Sequence, residues 1–185
     1  MRIISGKFRG KKIIQPKDKS TRPLKDLTKE SIFNIINHSN LIKIKIEGSH
    51  ILDLFSGVGS FGLECLSHGA LSVTFCENYP KALSILKKNI SNIASEKKTR
   101  IIEKDLFDDE NLNFLKGSFE IIFLDPPYKE KKLNNLLEKI INLNLLTKDG
   151  IFIIHKHKKE KDEFPKKFNI FKKKIYGISK IVFGN

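Results

Sequence analysis

The stretch with the most chemical content is Asp125-Pro126-Pro127-Tyr128, which follows the apolar run Phe119-Glu120-Ile121-Ile122-Phe123-Leu124. Two prolines fix φ and remove two backbone donors, so this turn offers carbonyl oxygens where most turns offer N–H groups. With the Asp125 carboxylate beside it, the Pro126 carbonyl completes a pair of acceptors that can hold both hydrogens of a substrate –NH2 group. The exocyclic amine of a nucleobase is a poor nucleophile because its lone pair is delocalised into the ring. Two aimed acceptors favour a pyramidal nitrogen and turn that lone pair toward an electrophile, a gain made by positioning and electrostatic complementarity. Tyr128 adds an aromatic face on which an extruded base can lie. Asp125 need not take a proton before attack: the amine becomes acidic only as it gains positive charge, and the proton then leaves to Asp125 or to water. Taken alone, the same four residues are equally compatible with a plain strand-ending turn.

A second constellation lies upstream. Ile51 to Gly62 reads I-L-D-L-F-S-G-V-G-S-F-G, an apolar run ending in an acid and then Gly57, Gly59 and Gly62 at G-x-G-x-x-G spacing. Such a loop opens a helix, where free N–H groups and a partial positive charge form a nucleotide cradle. The spacing suits a dinucleotide, and Glu77 follows where a ribose-binding acid belongs. Asp53 argues otherwise, because a carboxylate facing the glycine loop repels a pyrophosphate and welcomes an ammonium group. S-adenosylmethionine carries an ammonium and a sulfonium, so Asp53 with Glu77 for the ribose hydroxyls suits it better than NAD. The bland alternative is an Asp53 that only caps the turn.

These residues need elements to hold them. Strand patterns are expected near 50–55, 71–76, 100–104, 119–124 and 151–156, and helices near 60–68, 80–92 and 131–143, with a short one possible near 109–116. The alternation predicts an α/β, doubly wound, parallel sheet whose strands end at Asp53, Glu77 and Asp125. Phe168 to Lys174 and Ile175 to Phe183, separated by Gly177, read as an antiparallel closing pair. Leu27, Ile32, Ile35 and Ile36 recur at helical spacing and predict an amphipathic helix on the sheet. Residues 1–25 differ in texture: Ile3-Ile4 and Ile13-Ile14 flank a basic, glycine-punctuated turn, which reads as a small β-hairpin carrying six Lys, three Arg and one acid. We expect one domain, a basic arm over 1–25 and a catalytic core over 26–185.

Composition bounds the partners. The net charge of +14 favours a polyanion, although only four of the basic residues are Arg and a Lys-, Ile- and Asn-rich chain can reflect genome bias. No apolar run approaches the roughly 20 residues of a membrane span and no signal peptide is evident, so a cytoplasmic protein is expected. Cys65 and Cys76 lack metal or redox spacing and read as packing residues. His155 and His157 lack a third ligand nearby, so no metal is expected. No leftover amphipathic element demands a partner, which predicts a monomer.

The motifs R-I-I-S-G-K-F-R-G-K-K (2–12), T-R-P-L-K-D-L-T-K-E-S-I-F-N (21–34), D-L-F-S-G-V-G-S-F-G (53–62) and D-P-P-Y (125–128) together resemble the RsmD family. These are class I S-adenosylmethionine-dependent methyltransferases acting on guanine N2 of small-subunit (16S) ribosomal RNA. The resemblance covers nearly the whole chain, and its N-terminal part is the specific one. It implies a Rossmann-like, seven-stranded, mostly parallel sheet. It implies that Asp53, Phe55, Ser56, Gly57, Gly59 and Glu77 contact the cofactor, with Asp105 or Leu106 at the adenine. Asp125, Pro126, Pro127 and Tyr128 would grip guanine N2, S-adenosylhomocysteine would be the product, and Arg2, Lys7, Arg9, Lys11 and Arg22 would meet RNA. Leu27 and Thr28 stand where the family usually shows Arg and Val, and His155 where an acid is common. A chain this small has little surface for distant RNA readout, so the 30S particle, assembled or assembling, is the expected substrate. The competing readings are an adenine-N6 or cytosine-N4 methyltransferase on DNA or another RNA, an NAD oxidoreductase, and a non-enzymatic RNA-binding protein.

Overall fold

A computed structural model of the chain describes residues 1–16, 24–108, 112–127 and 132–185. Seven strands form one sheet: β1 (His50–Leu54), β2 (Ser72–Cys76), β3 (Thr99–Ile102), β4 (Phe119–Leu124), β5 (Leu146–His157), β6 (Ile170–Tyr176) and β7 (Ser179–Gly184). Their order is β3-β2-β1-β4-β5-β7-β6, the first five parallel and β7 antiparallel to both its neighbours. The chain leaves β1 toward β2 and β3 and then returns to β4 on the other side. The topological switch therefore lies between β1 and β4, where open α/β sheets bind ligands at the strands' carboxyl ends.

Both faces of the sheet are covered, as parallel strands require. Alternate residues of β1 and β4 point to opposite sides. Ile51, Ile121 and Phe123 join a cluster with α1 (Asp26–His38), α2 (Ser60–Ser67) and α3 (Pro80–Asn92), while Leu52, Leu54, Ile122 and Leu124 join one with α4 (Leu133–Asn142). Helix α3 has the boundaries its sequence predicts, with Pro80 in the first turn, where its missing N–H costs nothing.

Four expectations are corrected. The inward face of α1 is Thr28, Lys29, Ile32, Phe33 and Ile36, whereas Leu27 is 68% exposed. Lys29 turns inward because its Nζ lies 2.9 Å from the buried Glu64 carboxylate and 2.8 Å from the Arg2 carbonyl. The N-terminal hairpin is present but short: Arg2 bridges Lys12, and Ile3, Gly10 and Ile13 donate to Lys11, Ile3 and Met1, but it does not extend to Ile4 and Ile14, whose N–H groups go to Glu64 and Asn89. Strand β5 starts at Leu146, earlier than expected, because Leu146 already pairs with Phe119 ahead of a register shift that brings Ile151 opposite Ile121. The short helix suggested near 109–116 is absent over 112–116, and 109–111 lie outside the described residues.

Candidate active site

The glycine loop joins β1 to α2, and Gly57 and Gly62 have different physical reasons. Gly57 has φ +55° and nothing within 4 Å of where a Cβ would stand, so it faces open space. At Gly62 a Cβ would lie 2.4 Å from the Phe75 ring, so that glycine lets α2 pack closely on β2. Phe55, at φ 58°, holds a left-handed conformation that bulky residues avoid, and its ring stacks on Phe107 with centroids 5.0 Å apart. Ser56 is buried, and its N–H bonds the Cys76 carbonyl at 3.0 Å.

Asp53 sits at the end of β1, 1% exposed. Its Oδ2 accepts the Gly62 N–H at 2.9 Å, while Oδ1 has no hydrogen-bond partner. Burial pushes its carboxyl well above the usual range, the Gly62 bond opposes this, and the negative charges of Asp125 and Glu77 add to it. An orphaned carboxylate oxygen at the mouth of a loop is a costly feature unless a cationic ligand completes it. Glu77 ends β2 and is tied to the same loop: Gly57 donates to its Oε2 at 2.7 Å, and Asn78 and Tyr79 donate to Oε1. Asn78 also donates to Asp105 Oδ2 at 2.7 Å, and Asp105 Oδ1 accepts the Phe107 N–H. Leu106 is buried beneath them. The acids after β1 and β2 and the loop after β3 thus share one rim, as the sequence predicts. Phe107 and Asn78 were not signalled, because neither belongs to a motif.

Across the switch point, Leu54 pairs with Leu124, and Asp125 donates its N–H to the Leu54 carbonyl at 3.3 Å. The acceptor turn therefore stands directly beside the glycine loop. Pro126 is buried and Pro127 exposed. Tyr128 and Arg22 lie outside the described residues. Asp125 Oδ1 lies 2.8 Å from His155 Nδ1, and His155 Nε2 lies 2.9 Å from Ser179 Oγ. This Asp-His-Ser sequence has the composition of a hydrolase triad, but its exposed end is the wrong one. Ser179 is 5% exposed inside the sheet whereas the Asp125 side chain is 14% exposed, so the serine has no access to a substrate and the carboxylate does.

The basic arm is docked. Ile3 and Ile13 enter the core, Glu64 accepts from Ile4 and Ser5, and Phe8 and Lys7 donate to Ser67. Asn89 of α3 bonds both directions with Ile14 and also reaches the Val58 carbonyl of the glycine loop at 3.0 Å. Arg2, Lys7, Arg9 and Lys11 are all exposed. The tip of the arm meets Ser67, the last residue of α2, and Lys11 Nζ bonds the Asn92 carbonyl at the end of α3. Both helices begin at the rim, so Lys7 and Lys11 lie away from it, by about 12 Å along α2 at 1.5 Å per residue.

Cys65 and Cys76 are free and buried, and burial pushes the Cys76 thiol up to about 12, as expected of packing residues. Among the described residues no cluster of metal-ligating side chains occurs, and no helix is long and apolar enough to cross a membrane.

The family model described as "Conserved hypothetical protein 95" matches residues 1–185. YlbH of Bacillus subtilis (strain 168) is 35% identical over 185 residues, covering 97% of this chain and 95% of that one. Ribosomal RNA small subunit methyltransferase D of Buchnera aphidicola subsp. Baizongia pistaciae is 34% identical over 157 residues, covering 83% and 74%. The crystal structure of HI0767 from Haemophilus influenzae, at 28% identity, superposes with a TM-score of 0.71 over 99% of this chain and 96% of that one. With its strand order, its switch-point acids and these relatives, the chain belongs to the family of the ribosomal RNA small subunit methyltransferase D proteins, RsmD.

Proposed function

We propose that this chain transfers the methyl group of S-adenosylmethionine to the exocyclic N2 amine of a guanine in 16S ribosomal RNA, in the assembled or assembling 30S subunit. The observation that carries the reading is the adjacency of two complementary half-sites across β1 and β4. One is an orphaned buried acid suited to an ammonium, and the other is a carboxylate-diproline turn suited to an –NH2 group. A pyrophosphate at the first half-site would meet the unpaired Asp53 oxygen, which disfavours the NAD reading.

In this mechanism Asp53 binds the ammonium of the cofactor and Glu77 its ribose hydroxyls. Phe55, Ser56, Gly57 and Gly59 form the cradle wall, and Asp105 and Leu106 border the adenine. When bound, S-adenosylmethionine supplies an electrophilic methyl on a sulfonium centre. Asp125 and the Pro126 carbonyl accept the two amine hydrogens, Pro127 stiffens the turn, and Tyr128 supports the flipped base. The C–N bond would form as the S–CH3 bond breaks and S-adenosylhomocysteine leaves as a neutral thioether; the amine thereby gains positive charge, and its proton leaves to Asp125 or water. Arg2, Lys7, Arg9, Lys11 and Arg22 neutralise RNA phosphates, Lys7 and Lys11 away from the target base, and their contribution weakens with salt.

The test is mass spectrometry of nucleosides from unmethylated small subunits incubated with protein and S-adenosylmethionine. N2-methylguanosine is expected. N6-methyladenosine, or no product despite cofactor binding, would overturn the assignment of the base.

A further inference from the structure

We propose that His155 is a positioning residue for methyl transfer: it grips one oxygen of Asp125 and fixes the plane in which that carboxylate meets the substrate amine. This rests on the reading of Asp125 given above. A carboxylate only accepts hydrogen bonds, so the 2.8 Å contact between Asp125 Oδ1 and His155 Nδ1 requires a proton on Nδ1. In the neutral ring Nε2 is then the acceptor, and the hydroxyl of Ser179, 2.9 Å away, supplies its proton. Ser179 sits diagonally across an antiparallel pair, since His155 faces Ile181 and His157 faces Ser179. Histidine and serine are 2% and 5% exposed and lie in two strands paired in continuous antiparallel register, so neither end of the ring is free to drift.

Asp125, by contrast, stands at the end of β4 ahead of two prolines, with its side chain 14% exposed. With Oδ1 held, the carboxylate cannot rotate about its Cβ–Cγ bond without giving up a buried, charge-assisted bond. His155 thereby sets the direction of the acceptor that meets the amine, as catalytic geometry demands.

Two substitutions separate this role from simple packing. In His155→Asn the amide N–H stands near the position of Nδ1–H and can still donate to Asp125. In His155→Gln the amide reaches toward the position of Nε2 and can meet Ser179 but not Asp125. Methyl transfer to unmethylated small subunits is measured with kcat and KM for S-adenosylmethionine, beside melting temperature. We expect the Asn variant to keep kcat within about threefold of wild type. The Gln variant should lose at least about tenfold in kcat with KM unchanged. Equal kcat in the two variants, or losses that follow melting temperature alone, would overturn the proposal. A measurement on the unaltered protein guards against variants that fail to fold: the ring 15N signals of His155 should show Nδ1 protonated, and a ring protonated at Nε2 alone refutes the grip. If wild-type protein transfers no methyl group while Nδ1 carries the proton, the functional reading fails and the grip stands.

Discussion

Replacing Asp53 with Asn should make the ligand-free protein more stable and a worse binder. The buried carboxylate has one backbone donor on Oδ2, none on Oδ1, and the negative charges of Asp125 and Glu77 nearby. An amide keeps the Gly62 bond through its oxygen and removes the charge, although its NH2 group inherits the unpartnered place. Relief of an unsatisfied buried group amounts to about 1–3 kcal/mol, with the lower end favoured here. At roughly 2–4 °C per kcal/mol for a chain of this size, the melting temperature should rise by about 2–8 °C at pH 7. The gain depends on pH with a definite sign. Because burial raises the native carboxyl, the folded chain takes up this proton at higher pH than the unfolded one. The penalty is therefore absent below about pH 4, the unfolded value, and grows as pH rises through the native value. The difference in melting temperature between variant and wild type should widen upward from about pH 4 and then level off. Binding of S-adenosylhomocysteine, followed by calorimetry, should weaken roughly 10- to 100-fold, the worth of one charge-assisted bond to the ammonium. A variant that melts lower at neutral pH and binds with unchanged affinity would refute the argument and leave Asp53 as a cap for Gly62.

Other outcomes follow from single contacts. Asp125→Ala should lower methyl transfer at least about 100-fold while leaving RNA binding in a filter or mobility assay intact; a loss smaller than tenfold speaks against a direct grip on the amine. Glu64→Gln leaves the fully buried Lys29 ammonium without its counter-ion and should cost about 3–5 kcal/mol in chemical denaturation, with residues 1–16 becoming sensitive to protease. Gly62→Ala drives a methyl into Phe75 and Val73 and should cost about 1–3 kcal/mol with cofactor affinity kept in the protein that remains folded. Gly57→Ala meets no neighbouring atom, so its effect should be the reverse: about 1–2 kcal/mol of conformational cost and a disproportionate loss of cofactor affinity.

Local signals were legible in the sequence and distant pairings were not. Pro80 with Leu83, Leu86 and Ile90 describes α3 to the residue, and the glycine loop with its flanking acids marks the rim, because in both cases the deciding neighbours are close along the chain. Leu27 does not join the inward face of α1 because the residue that turns the helix, Lys29, is held by Glu64, thirty-five positions later. His155 stood out as a departure from the family pattern and as one of a histidine pair without a third ligand, and neither feature points to Asp125 or Ser179. Its partners come from the ends of β4 and β7, and no periodicity announces that these three side chains align. The same limit applies to the basic arm: its charge was plain, but its course along α2, which carries the tip away from the rim, depends on backbone bonds to Glu64 and Ser67.

The anchoring of that arm also dictates when it can fold. It emerges from the ribosome ahead of the helices it docks on, yet Ile4 and Ser5 bond a carboxylate about 60 positions later and Ile14 an amide 75 positions later. Until α2 and α3 have been made and packed, Ile3 and Ile13 have no core to enter. A segment synthesised ahead of its partners is therefore completed late, as a clasp drawn over a sheet that must already exist, and shortening the chain before α3 would leave it open.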